Sequence, residues 1–125
     1  MNSQRQAQRA YQSTQTPIRT PRSTEYEAFA RITHRLASTA RQGKAGFAAL
    51  ADALHENRRL WTVLAAAVAD DENALPHDLR ARLFYLAEFT DTHSRKVLRG
   101  QATVAPLIEV NTAVMRGLKT EGAAR

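Results

Sequence analysis

The feature that most constrains this chain is a long helical stripe over residues 44–69 that turns polar at its centre. Phe47, Leu50, Ala51, Leu54, Trp61, Leu64, Ala65 and Val68 recur at three- and four-residue steps, the spacing of one helix face. At about 100° per residue, Asn57 and Arg58 fall on that face between Leu54 and Trp61. An amide and a guanidinium on a core-facing side are unfavourable unless hydrogen-bonded. The pattern therefore predicts either a polar layer inside a bundle, with Glu88 or Glu27 as partner acid, or a polar anchor for a docked helix.

Three further stretches share the helical period. Residues 21–41 carry Tyr26, Phe29, Ala30, Leu36, Ala37 and Ala40 on one side. The start has two competing registers, Thr20 with Pro21 in the first turn or the capping box at Thr24 and Glu27. Residues 76–99 place Leu79, Leu83, Leu86 and Val97 in a stripe that also contains Thr90 and His93, a second polar patch. The acidic run at 70–73 precedes this helix, where negative charge suits the positive end of the dipole. Residues 103–118 carry Leu107, Ile108, Val110, Val114 and Leu118, again with an asparagine, Asn111, inside the face. Alternating strand patterns are absent, and links of two to seven residues join antiparallel neighbours. The expectation is an all-α fold, a compact bundle of four main helices forming a single domain over 21–119, behind a flexible basic tail at 1–20.

Charge is unevenly spread. Of the net +6, residues 1–24 supply Arg5, Arg9, Arg19 and Arg22 with no acid, so the folded part is nearly balanced. A basic face of the kind that tracks a phosphate backbone is not evident there. Within the tail, a marginal helix over 4–12 gathers Ala7, Ala10 and Tyr11 and would form only on contact. There are no cysteines and no apolar run long enough to span a bilayer, and no apolar segment follows the N-terminal arginines as a secretory signal would require. These features predict a cytoplasmic protein with no membrane insertion.

Reaction chemistry finds no foothold. His55-Glu56 resembles the start of a zinc-protease helix, but the fourth position on is Arg59 rather than histidine. His34, His55, His77 and His93 never pair at one-turn spacing, and the acidic run lacks the glycine and terminal glutamate of a calcium loop. No phosphate-cradling loop and no nucleophile elbow is present. We therefore expect no catalytic residues, no metal, no cofactor and no enzyme activity. Binding is the remaining class. Leu83-Phe84-Tyr85-Leu86 sets bulky residues on successive sides of one helix, so Phe84 or Tyr85 must face a second surface. The expected partner contacts are Asn57, Arg58 and Trp61 from the second helix and Arg82, Phe84 and Tyr85 from the third, with Arg9 and Tyr11 as tail contacts.

Several strings resemble the FlaF family of alphaproteobacterial flagellar biosynthesis regulators. They are Ala10-Tyr11-Gln12, Thr20-Pro21-Arg22-Ser23-Thr24-Glu25-Tyr26-Glu27 with Phe29-Ala30-Arg31, Asn73-Ala74-Leu75-Pro76, and the leucine-rich runs at 79–86 and 107–118. The most specific is His55-Glu56-Asn57-Arg58-Arg59-Leu60-Trp61. The resemblance covers about residues 7–118. It implies a small, non-enzymatic, helical cytoplasmic factor that binds flagellin in the manner of a chaperone or export factor and promotes flagellin production and filament assembly. It also implies a functional counterpart, the FlbT-type regulator that restrains flagellin translation. Flagellin termini are amphipathic helices that need shielding before assembly, and a groove could accept one at i, i+3, i+4 and i+7 spacing. Two alternatives stand beside it. One is direct binding to flagellin messenger RNA through the tail and Arg58-Arg59, which the lack of aromatic platforms among the basic residues disfavours. The other is a homo-oligomeric scaffold that buries Phe84 and Tyr85.

Overall fold

A computed structural model describes the backbone over residues 21–123 and side chains from 25 to 117. The tail and its expected contacts Arg9 and Tyr11 lie outside the described residues. Four helices follow one another, α1 (Pro21–Ala40), α2 (Phe47–Ala69), α3 (His77–Leu98) and α4 (Ala105–Ala123), with a short 3-10 turn (Gly43–Gly46) between α1 and α2. No strand occurs among the described residues. The fold is an all-α bundle.

The element edges follow local chemistry. Of the two registers open at the start of α1, the later one is not taken, because the chain is already helical at Pro21, ahead of Thr24. α2 starts at Phe47 rather than at residue 44, because residues 43–46 form the 3-10 turn first. Gly46 is needed in that turn: a Cβ there would sit 2.6 Å from Cβ of Gln42 and 2.9 Å from the carbonyl of Thr39. At the other end of α2, Arg80 reaches back from α3. Its Nε donates to the carbonyl of Val68 at 2.8 Å and its Nη2 to that of Asp70 at 2.8 Å, capping carbonyls that the helix end leaves open. Asn73 adds a bond from Nδ2 to the carbonyl of Ala67. α3 ends at Gly100 with φ +75°, and the N–H groups of Gly100 and Gln101 return to the carbonyls of Val97 and Lys96, a Schellman closure. α4 continues beyond 118, to Ala123.

α1 packs antiparallel to α2, and α2 to α3: Phe29 meets Trp61 edge-on at 5.6 Å, Arg31 and Arg35 reach Glu56, Arg58 reaches Asp91 and Arg80 reaches Val68. Thr33 of α1 is bonded to Asn111 of α4. α2 is the central element, flanked by α1 and α3, while α4 packs mainly on α1. α3 and α4 meet beside their connecting turn, where Val97, Val104 and Leu107 close on Leu36, Ala53 and Leu54 as the larger apolar cluster. Phe29, Trp61 and Val68 continue the core towards the far end.

The Arg31–Glu56–Arg35 clamp ties α1 to α2 and makes part of the stability depend on pH. Hydrogen bonding from Arg31 holds the Glu56 carboxyl below its ordinary value, desolvation opposes this, and Arg35 and the charges of both arginines add to the lowering. A lowered folded-state value means that the clamp contributes fully above the ordinary value of 4.5 and is lost as pH falls through the folded value. In urea titrations the parent protein is expected to lose more stability than Glu56→Gln between about pH 5 and about pH 3. Parallel curves for the two proteins would remove the clamp from the acid response.

Candidate functional site: a polar layer and the groove beside it

The polar centre of α2 divides into an inward and a sideways half. Asn57 is 0 % exposed, and so is Asn111 of α4. Asn111 is the hub: its Oδ1 accepts from Trp61 Nε1 at 2.9 Å, and its Nδ2 donates to Asn57 Oδ1 at 2.8 Å and to Thr33 Oγ1 at 3.0 Å. Three helices thus share one buried layer, with the larger aliphatic cluster on one side and Phe29 on the other. Among the described residues two buried side-chain polar atoms stay unpartnered, Asn57 Nδ2 in this layer and Thr90 Oγ1 on α3.

Arg58, one residue and 100° on, turns towards α3. Its Nε and Nη2 both donate to Asp91 Oδ1, at 2.9 and 2.6 Å, and Asp91 Oδ2 accepts from Arg95 Nη2 at 2.6 Å. All three side chains are partly exposed, so this Arg–Asp–Arg bridge fixes geometry more than it stabilises. The partner acid is Asp91 rather than Glu88. The polar layer expected from α2 alone is therefore two structures, an amide hub inside and an ion bridge at the edge.

A groove runs beside the bridge between α2 and α3. Thr62 and Ala65 form one bank, and Phe84, Ala87, Glu88, Asp91 and Arg95 the other, with Trp61 and Thr90 beneath, around a depression of about 300 Å³. A second depression of about 330 Å³ continues past Phe84, lined by Val68, Ala69, His77, Arg80 and Ala81. Its walls are almost wholly apolar. Phe84 separates the two and is 44 % exposed.

The expected contact residues sort by this geometry. Arg58 and Phe84 line the groove. Asn57 and Trp61, for which the sequence leaves open a buried place in the bundle or a partner contact, are both enclosed, Trp61 at 1 % exposure, with their polar atoms on the Asn111 hub. Trp61 floors the groove without opening onto it. Arg82 and Tyr85 are exposed but absent from the groove lining: Tyr85, 64 % exposed, stands 100° further round α3 than Phe84. The sequence reading missed Asp91, Arg95, Ala65, Ala81 and Thr90 as groove residues. The only cue for Thr90 was its place in the α3 stripe. Among the described residues no cluster of potential metal ligands occurs, and no helix is long and apolar enough to cross a membrane.

Comparison with known families decides the relationship. Residues 7–118 match the flagellar protein FlaF family over most of the chain. The chain belongs to the FlaF family. The match takes in all of α1, α2 and α3, most of α4, both asparagines of the hub and both banks of the groove. It makes this a flagellar protein. No curated protein and no solved structure matches the chain.

Proposed function

We propose that this FlaF-family chain binds flagellin as a non-enzymatic chaperone or export factor in the cytoplasm, and through that binding promotes flagellin production and filament assembly. The observation that carries the reading is the α2–α3 groove, where a half-exposed Phe84 stands between an apolar depression and a charged one. Large exposed aromatic side chains at a groove are unfavourable for an isolated chain and favourable for one that covers them with a guest. Small residues on the banks of the groove (Ala65, Ala69, Ala81, Ala87) favour close backbone approach of an amphipathic helix. Arg58 and Phe84 are the contacts retained from the sequence reading, while Asn57 and Trp61 support the floor.

The RNA-binding alternative is weaker on this geometry, because Arg58 is already committed to Asp91. The scaffold alternative draws on Tyr85, whose exposure on the flank away from the groove leaves an aromatic surface for a second copy. Sedimentation of the purified chain separates that reading from a monomeric chaperone.

The binding test is calorimetry with purified flagellin, repeated after RNase treatment. Phe84→Asp is expected to keep the fold, since the side chain is half-exposed, and to weaken flagellin binding at least about tenfold by replacing the apolar contact with a carboxylate that the guest would have to desolvate. Unchanged affinity in a folded Phe84→Asp protein would take the groove out of the interaction. Binding that disappears with RNase would transfer the activity to RNA.

A further inference from the structure

The two depressions are spaced as a helical guest would need. On α2 their linings centre roughly seven residues apart and on α3 roughly nine, which at 1.5 Å per residue is about 10–14 Å along the groove. Residues i and i+7 of an α-helix lie about 10.5 Å apart on one face. The seats also differ in chemistry. The depression past Phe84 is bounded by Val68, Ala69 and Ala81 with His77 and Arg80, and offers almost no polar surface. The one over Trp61 holds Thr90, 1 % exposed, whose hydroxyl is buried without a partner. Around it, Arg58 and Arg95 balance Asp91 and Glu88. A cationic guest side chain would meet the arginines and an anionic one the carboxylates, so an uncharged hydrogen-bonding group fits best.

Resting on the flagellin reading for the identity of the guest, we propose that the groove reads register. It selects an amphipathic helix that sets an aliphatic side chain beside Ala81 and, two turns along, an uncharged polar side chain such as Asn or Gln over Thr90. Phe84 fits between the two anchors as the spacer. One polar seat two turns from an apolar one fixes alignment at some loss of affinity, as a single buried asparagine does in a coiled coil.

The test uses the full chain and synthetic helical peptides three heptads long, identical except for the pair at i and i+7, read by fluorescence anisotropy. Leu with Asn is expected to bind more tightly than Leu with Lys or Leu with Asp. Thr90→Val should leave folding intact, because the hydroxyl it removes has no partner. It should lower affinity for the Leu/Asn peptide roughly three- to tenfold and leave a Leu/Leu peptide unchanged or tighter. Ala81→Leu, which fills the apolar seat, should weaken every peptide at least about tenfold. Equal effects of Thr90→Val on all peptides, or none from Ala81→Leu, would overturn the register reading. Flagellin binding without peptide discrimination keeps the flagellin reading and removes the register. Peptide discrimination without flagellin binding does the reverse.

Discussion

Replacing Asn111 with alanine is expected to destabilise the fold by about 3–5 kcal/mol, more than any other single polar substitution in the bundle. The amide makes three hydrogen bonds inside a layer closed to water. Its removal leaves the Trp61 indole N–H and the Asn57 carbonyl without partners, each costing about 1–3 kcal/mol when buried, and adds a cavity. Asn111→Leu separates the two contributions. It refills most of the volume but still strands the indole and the Asn57 amide, so it should recover the cavity term alone. Adding Asn57→Leu and Trp61→Phe removes the stranded groups and should recover much of the rest, which a pairwise-additive core would not show. Urea denaturation followed by far-ultraviolet circular dichroism measures each step. The parent-to-Asn111→Ala comparison should also lower Tm by roughly 10–20 °C. A loss below about 1 kcal/mol would mean that water enters the layer freely and that the hub is not a closed structure.

The stripe on α2 carried its own interpretation only in part. Periodicity placed Asn57 and Trp61 on a core-facing side correctly, because the helical repeat is a local property of the chain. What each residue pairs with is set by how α4 lies against α1 and α2, and no spacing within α2 encodes it. Asn111 was legible as an asparagine in an apolar face, yet nothing in one sequence joined it to Asn57, fifty-four residues away. Arg58 shows the same limit at finer scale: a one-residue step turned it from the layer towards α3, and the pairing with Asp91 depended on interhelical register. The start of α2 moved to Phe47 because a tight 3-10 turn over Gly43–Gly46 competes with helix there, with a glycine required by close approach to Thr39. The groove needed both banks at once. Phe84 was flagged by the crowding of bulky residues on α3, whereas the alanines opposite it carry no signal until two helices are placed side by side.

The second large effect is expected at Trp61, and it separates a structural tryptophan from a binding one. Trp61→Ala removes a fully enclosed side chain that stacks edge-on against Phe29 at 5.6 Å, with 80° between the rings, and donates to the Asn111 hub. A loss of about 3–5 kcal/mol follows from the cavity, with the stranded Asn111 carbonyl adding to it. Because a small domain has only about 5–15 kcal/mol in hand, the variant should be partly unfolded near physiological temperature, and any lost flagellin binding would then say nothing about contact. Trp61→Phe is the informative partner. It keeps an aromatic ring against Phe29 and the floor of the groove, and gives up one hydrogen bond, so about 1–2 kcal/mol should be lost. If Trp61 supports the groove from beneath, Trp61→Phe binds flagellin within about threefold of the parent, while the half-exposed Phe84 remains sensitive. A folded Trp61→Phe protein that loses flagellin affinity tenfold or more would mean that the indole becomes accessible in the complex. The hub would then have to open on binding, with Asn111 releasing Trp61 to the guest. Protection of the Trp61 indole N–H from hydrogen exchange, measured with and without flagellin, distinguishes a closed floor from one that opens.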